Sequence, residues 1–195
     1  PRHIFFDVMD TLVQDPALDW MPTFFELSID ELRSALDREA WPAFERGEID
    51  EQAFFRSMFR DRRVVATEPF MNGLLAGFRW VDGMPELLEQ LAARGVGMHT
   101  LSNYPIWHRH VERKLALSRW LRWTFVSCEH GVRKPDPKAY SVAMREAGTS
   151  AEDSIFVDDR QTNCIAARGQ GMTALHFTGV TQLREDLRRS GICQL

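Results

Sequence analysis

The chain has 195 residues, 44% of them hydrophobic and 27% charged, with a formal net charge of −4. This balance excludes a disordered chain and describes a globular protein whose core is large enough to carry one inserted subdomain. The Arg residues are scattered among acids instead of forming a basic stripe, and no apolar run approaches the ~20 residues of a membrane span, so neither a nucleic-acid nor a membrane partner is expected.

The first predicted element is a strand over 3–7, His3-Ile4-Phe5-Phe6-Asp7, followed by the turn Val8-Met9-Asp10-Thr11-Leu12. An apolar β-rich run ending in an acid puts the Asp7 carboxylate at the carboxyl end of a buried strand, where open α/β sheets gather their ligands. The strand follows Pro1 at once, so no signal peptide is expected within the chain as given, and the expected location is cytoplasmic.

The stretch 14–80 breaks the β-rich pattern. Ser28-Ile29-Asp30-Glu31 starts one helix, with Leu32, Leu36 and Trp41 as periodic apolar positions. Ile49-Asp50-Glu51-Gln52 starts another, carrying Phe54, Phe55, Met58 and Phe59, and Pro16, Pro22, Pro42 and Pro69 punctuate the region. Too long for a loop, it reads as an all-α insertion above the strand ends, placed to roof a site. Its aromatic residues are expected mainly in its own core. Trp20, close in sequence to the first turn, is the one expected to line a pocket, and Trp107 is a weaker candidate.

Beyond the insertion, Gly83 precedes a helix with apolar residues at i, i+3, i+4 and i+7, which ends at Gly95. Strands are predicted over 96–101, 123–127, 155–158 and 173–177, and helices over about 105–117, 136–147, 162–169 and 180–190. Strands alternating with helices imply parallel crossovers, hence an α/β fold with a doubly wound parallel sheet. The expected division is a core of 1–13 and 81–195 and a helical unit of 14–80.

Three later segments join Asp7. Met98-His99-Thr100-Leu101-Ser102-Asn103 ends a strand in a hydroxyl residue, and Ser102, with Asn103 beside it, can bind one phosphate oxygen. In Gly131-Val132-Arg133-Lys134-Pro135-Asp136-Pro137, Pro135 can open a helix, which places Lys134 near a helix N-terminus; a cation there calls for a counter-anion. In Ile155-Phe156-Val157-Asp158-Asp159-Arg160, two acids end another apolar strand. Adjacent carboxylates at a buried position need a compensating cation, and Mg²⁺ fits hard oxygen ligands; helix capping would explain only one of the two acids. Together these form a phosphoryl-transfer site with Asp7 as nucleophile, Mg²⁺ held by Asp7, Asp158 and Asp159, and Ser102 and Lys134 holding the remaining oxygens.

Cys128, Cys164 and Cys193 form no C-x-x-C pair, and each is expected to be a small buried hydrophobe. His99 and His176 lie in predicted strands and are expected in the core. His108 and His110, two residues apart on a helix, do not share a face and are not expected to bind metal.

The segments FFDVMDTL, TLSN, GVRKPDP and FVDDRQTN, in this order, resemble the motifs of the haloacid dehalogenase superfamily over nearly the whole chain. The segment 14–80 resembles its helical cap. The phrase Phe44-Glu45-Arg46-Gly47-Glu48-Ile49 and the run Val132 to Pro135 resemble the small sugar-phosphate phosphatases of the glucose-1-phosphate type. The resemblance implies a Mg²⁺-dependent phosphohydrolase acting on a small phosphorylated metabolite. Most phosphatases of the family carry a second Asp two residues after the nucleophile. Here that residue is Met9, which can offer the metal only its backbone carbonyl, and the Asp10 side chain is expected to point elsewhere. Two alternatives remain: a non-catalytic phospho-ligand sensor or partner-binding protein, motivated by Met9, and a metal-independent 2-haloacid dehalogenase, which the Asp158-Asp159 pair opposes.

Overall fold

A computed structural model describes residues 2–191. Five strands form a parallel sheet: β1 (His3–Phe6), β4 (Gly97–Ser102), β5 (Arg122–Val126), β6 (Ser154–Asp158) and β7 (Thr173–His176), in the spatial order β5-β4-β1-β6-β7. Two short segments, β2 (Val13–Gln14) and β3 (Arg79–Trp80), pair antiparallel as a separate ribbon. β1 is central, its Phe6 level with Thr100 of β4 on one side and Val157 of β6 on the other.

Side-chain alternation along β1 builds two cores. Ile4 and Phe6 face one side and Phe5 the other, and all three are fully buried. The first side is covered by α6 (Met84–Ala92), α7 (His108–Leu115) and α11 (Val180–Arg189), through Leu87, Leu88, Leu91, Val111, Leu183 and Leu187. The second is covered by α9 (Pro137–Ala147) and α10 (Gln161–Gly169), through Ala139, Tyr140, Ala143, Cys164 and Ala167. Helices on both faces make the sheet doubly wound, with β1 flanked by strands reached in opposite directions, so a crevice opens above the ends of β4, β1 and β6. The helix α9 starts at Pro137, with the Asp136 side chain capping Lys138 N–H at 2.8 Å; Pro135, expected to open it, lies before the cap. Between β5 and α9 the chain makes one short turn of helix, α8 (Ser127–His130).

The chain leaves and re-enters this core through the β2–β3 ribbon, where Val13 is level with Trp80. Between the two come α1 (Ala17–Phe25), α2 (Ile29–Ala35), α3 (Ala40–Glu45), α4 (Glu51–Ser57) and α5 (Thr67–Gly77). α2 starts with a reciprocal capping box between Ser28 and Glu31, and α4 with Asp50 accepting from Ala53 N–H at 2.7 Å. Pro22, read above as punctuation of the helical segment, lies inside α1. Tertiary contact outweighs that local penalty: Phe24 and Phe25 pack against Phe70 of α5 with ring centroids 5.4 and 5.8 Å away.

The helical segment is tied to the core at Glu45-Arg46-Gly47. The Ser127 hydroxyl donates to the Glu45 carbonyl, and Glu45 pairs with Arg133 at 2.8 Å. Gly47, at φ +68°, lies so close to the Cys128 backbone that a Cβ would sit 2.4 Å from its carbonyl oxygen. The phrase read above as a family marker is therefore a docking contact. Cys164 is buried and Cys128 half-buried; Cys193 lies outside the described residues. His99 is buried, as expected, between His3 and Thr124, and burial pushes its pKa down to about 4. His176 is exposed at the end of β7, the last strand of the sheet, with a ring nitrogen 2.8 Å from the Asp159 carbonyl oxygen, because only one neighbouring strand covers it.

A Cβ built on Gly73 would fall 1.9 Å from the Trp20 ring, whose indole N–H donates to the Phe70 carbonyl at 3.0 Å. Gly→Ala inside a helix is ordinarily stabilising by roughly 1 kcal/mol. Here we expect Gly73→Ala to destabilise by about 1–3 kcal/mol through overpacking. Urea unfolding of the two proteins checks the sign.

Candidate active site

The centre of the site is a buried lysine between two acids. Asp7 follows β1 directly and Asp158 ends β6, one strand over. Lys134, only 2% exposed, reaches in from the loop between α8 and α9. Its ammonium donates to Asp7 Oδ1 at 2.8 Å and to Asp158 Oδ2 at 2.6 Å, above the Phe156 ring at 5.1 Å. Asn103 fixes the lysine's backbone: its amide donates to the Lys134 carbonyl at 2.9 Å and accepts from Lys134 N–H at 2.7 Å. The strand end at Asn103 therefore positions a residue 31 places away in sequence.

Asp159 completes an acidic group. One carboxylate oxygen from each of Asp7, Asp158 and Asp159 lies within 4.8 Å of the others. The two adjacent acids do different work. Asp158 is fully buried and saturated, accepting from Lys134, from Arg160 N–H at 2.8 Å, and from the Asn163 amide at 3.0 Å on each oxygen. The Asp159 carboxylate is half-buried and takes no hydrogen bond among the described residues, and it does not cap α10. One ammonium faces three carboxylates. Burial pushes the Asp7 carboxyl up to about 7, with Lys134 pulling it down and Asp158 pushing it further up. Burial and Asp158 likewise raise Asp159. Burial works against the Lys134 charge, but Asp158 and Asp7 outweigh it and lift the ammonium above the ordinary lysine range.

These groups open into a cavity of about 70 Å³, also lined by Met9, Asp10, Asp15, Trp41, Glu45, Asn103, Tyr104, Arg160 and Asn163. Met9 is among the residues that line the cavity. Asp10 lines the cavity too, contrary to expectation: the alternation that would turn its side chain away holds only for extended backbone, and Asp10 sits in the left-handed region at φ +57°. Ser102 ends β4 fully buried and is not among the residues lining the cavity, and its hydroxyl, like that of Thr11 in the first turn, has no hydrogen-bond partner among the described residues. Trp20 is not brought to this cavity. Its ring packs on Gly73 and borders an outer groove between α1 and α5. Trp107 is buried among the rings of Trp41, Phe44 and Phe54, with its N–H on Glu51.

Several site residues escaped the sequence reading. Asn163 stands five residues after Asp158, inside the FVDDRQTN segment, so its spacing was a usable signal. Arg160 and Tyr104 directly follow the Asp158-Asp159 and Ser102-Asn103 strand ends, whereas Trp41 reaches the cavity through tertiary packing and carries no local signal. Asp15 sits beside Asp10, and burial pushes its carboxyl up to about 6.

The donor set fits a hard divalent cation. Three carboxylate oxygens converge, no Cys or His joins their cluster among the described residues, and the half-buried Asp159 still has both oxygens available.

A stability prediction follows from the crowded charge. In the unfolded chain Asp7 ionises near 3.8, and in the folded chain near 7. A carboxyl with a raised folded pKa costs nothing below the lower value, and its destabilisation grows as pH rises through the upper one. Without divalent cation, Asp7→Asn should therefore raise the melting temperature at pH 8 by roughly 2–4 °C or more. The gain should shrink toward pH 5. Melting curves at both pH values read it directly.

The pattern describing haloacid dehalogenase-like hydrolases matches residues 1–171. The chain is 41% identical over 189 residues to flavin mononucleotide hydrolase 1 of Arabidopsis thaliana chloroplasts, covering 97% of this chain and 77% of that one. It is 30% identical to the sesquiterpene phosphatase astK of Aspergillus oryzae, covering 84% and 85%. A solved structure of a HAD family enzyme from Bacteroides thetaiotaomicron, an Asp-to-Ala mutant in complex with magnesium and inorganic phosphate, superposes with a TM-score of 0.76 at 18% identity, covering 91% and 94%, which speaks to the fold. On the ordered motifs, the sheet and these matches, the chain is a member of the haloacid dehalogenase-like hydrolase family.

Proposed function

We propose that the protein is a Mg²⁺-dependent phosphomonoesterase working through an aspartyl-phosphate on Asp7, with residues 14–80 acting as its cap. The observation that carries this reading is that Asp7, Lys134 and Asp159 line one cavity at the strand ends, with the buried Asp158 paired to Lys134 and within 4.8 Å of the other two acids. The relatives named as a flavin mononucleotide hydrolase and a sesquiterpene phosphatase support a phosphorylated small molecule as substrate.

A carboxylate oxygen of Asp7 attacks phosphorus, the bond from phosphorus to the ester oxygen breaks, and the alkoxide leaves, taking its proton from water. Water then attacks the phosphorus of the aspartyl-phosphate, releasing phosphate and restoring Asp7. Lys134 keeps Asp7 oriented and offers positive charge to the phosphoryl oxygens. The unpartnered Ser102 hydroxyl is available to donate to another. Bound Mg²⁺, held by Asp7, Asp158, Asp159 and the Met9 carbonyl, would supply the charge neutralisation that a phosphate dianion needs in an acid-lined cavity.

Met9 cannot protonate the leaving group. General acid–base help is worth about 10²–10⁴-fold. Phosphate-monoester hydrolysis is accelerated by up to ~10²¹-fold in enzymes. Turnover survives that loss but should depend steeply on leaving-group acidity. The dehalogenase reading fits poorly, because without a metal ion an anionic haloacid would face carboxylates that outnumber the Lys134 and Arg160 cations of the cavity. Chloride release from a 2-haloacid in chelator would overturn that judgement.

With Mg²⁺ the protein should hydrolyse p-nitrophenyl phosphate. Chelator should abolish the activity, and Asp7→Asn should lower it by at least about 10³-fold, the scale on which covalent catalysis fails when its nucleophile is removed. A folded Asp7→Asn protein with unchanged activity would show that Asp7 is not the nucleophile.

A further inference from the structure

A second, larger cavity of about 250 Å³ adjoins the acidic one and shares with it Asp10, Asp15, Trp41, Tyr104 and Arg160. Away from that shared mouth its wall is almost wholly apolar, formed by Met21, Leu36, Ala40, Phe54, Met58 and Leu74 with their neighbours from α1 to α5. The one charged group on that wall, Asp37, is already engaged by Arg62 at 3.2 Å and by the Glu39 N–H at 3.0 Å. The Trp107 N–H is likewise taken, by Glu51. Leu18, 63% exposed, stands at the rim.

Resting on the phosphatase reading above, we infer that this chamber receives the alcohol part of the substrate, and that the substrate class is a phosphomonoester of a bulky apolar or aromatic alcohol. The geometry leads there from both sides. A phosphate on Asp7 must extend its ester oxygen away from the strand ends, and the adjoining space is the chamber. A polyol placed in it would press hydroxyls against the apolar inner wall, beyond the polar groups of the shared mouth, and each one left without a partner costs about 5- to 150-fold in binding. An apolar body gains from the same wall. The volume is ample: a dry apolar cavity of roughly 150 Å³ already holds benzene. This differs from the small sugar phosphate that the motif resemblance implied.

The test compares two esters of primary alcohols, so that leaving-group acidity is similar: 2-(2-naphthyl)ethyl phosphate and glucose 6-phosphate. Acetyl phosphate, which has no bulky group, reports on the phosphoryl site alone. The naphthyl ester should show at least tenfold higher kcat/KM than the sugar ester. Met21→Trp, which narrows the chamber at a half-buried position, should lower kcat/KM for the naphthyl ester at least tenfold and leave acetyl phosphate hydrolysis within about threefold. Equal or better turnover of the sugar ester, with acetyl phosphate hydrolysed normally, would overturn the chamber assignment and leave the phosphatase reading intact. Failure of the wild-type protein to hydrolyse acetyl phosphate with Mg²⁺ would overturn both.

Discussion

Everything at the strand ends depends on one buried ammonium. Lys134 bridges Asp7 and Asp158 in a place with almost no water, and removing the lysine would strand two buried carboxylates at a cost of several kcal/mol. The lysine is itself held at its backbone by Asn103, and Asp158 by Asn163 and Arg160. The result is a rigid frame in which three carboxylates are kept closer than they would choose. One ammonium among three clustered carboxylates leaves an excess of negative charge, and the proposed binding of a divalent ion, and through it of a phosphate, rests on that excess.

The division of labour between Asp158 and Asp159 follows from the same frame. Asp158 spends its oxygens on structure, while Asp159 stays half-buried and unbonded at the cavity wall. The two adjacent acids thus enter the proposed metal site unequally, Asp158 held by its protein partners and Asp159 as the open donor. The helical segment bears on the site in a comparable way. It is docked at Glu45 and Gly47 against Arg133 and Cys128, next to the lysine loop, and sends Trp41 into the acidic cavity. Chemistry at the strand ends and shape in the helical layer thus meet at a narrow shared mouth.

Much of this was legible in the chain. The strands around the site announce themselves by short apolar runs ending in Asp7, Ser102 and Asp158, because a parallel strand buried on both faces has few polar positions to confuse the pattern. Lys134 was legible from chemistry, as a cation lacking an evident counter-charge. The failures share a cause. Asp10 turns into the cavity because a left-handed residue breaks the alternation that sequence spacing assumes. Pro22, read as punctuation, lies inside α1 because aromatic packing on α5 decides the matter. Trp20 was favoured over Trp41 for its nearness in sequence, yet the side chain that reaches the cavity is chosen by how five helices stack. The β2–β3 ribbon, two residues on each side, is too short to leave a periodic trace.

The central claim is that the carboxylate excess around Lys134 holds one divalent ion, with Asp159 as its open donor. Calorimetric titration of the wild-type protein with Mg²⁺ and of Asp159→Asn tests it without relying on turnover. The account predicts one ion per wild-type chain and binding weakened at least tenfold in Asp159→Asn, whose metal-free melting curve stays cooperative. Equal Mg²⁺ affinity in the two proteins, or no binding by the wild type, would contradict it.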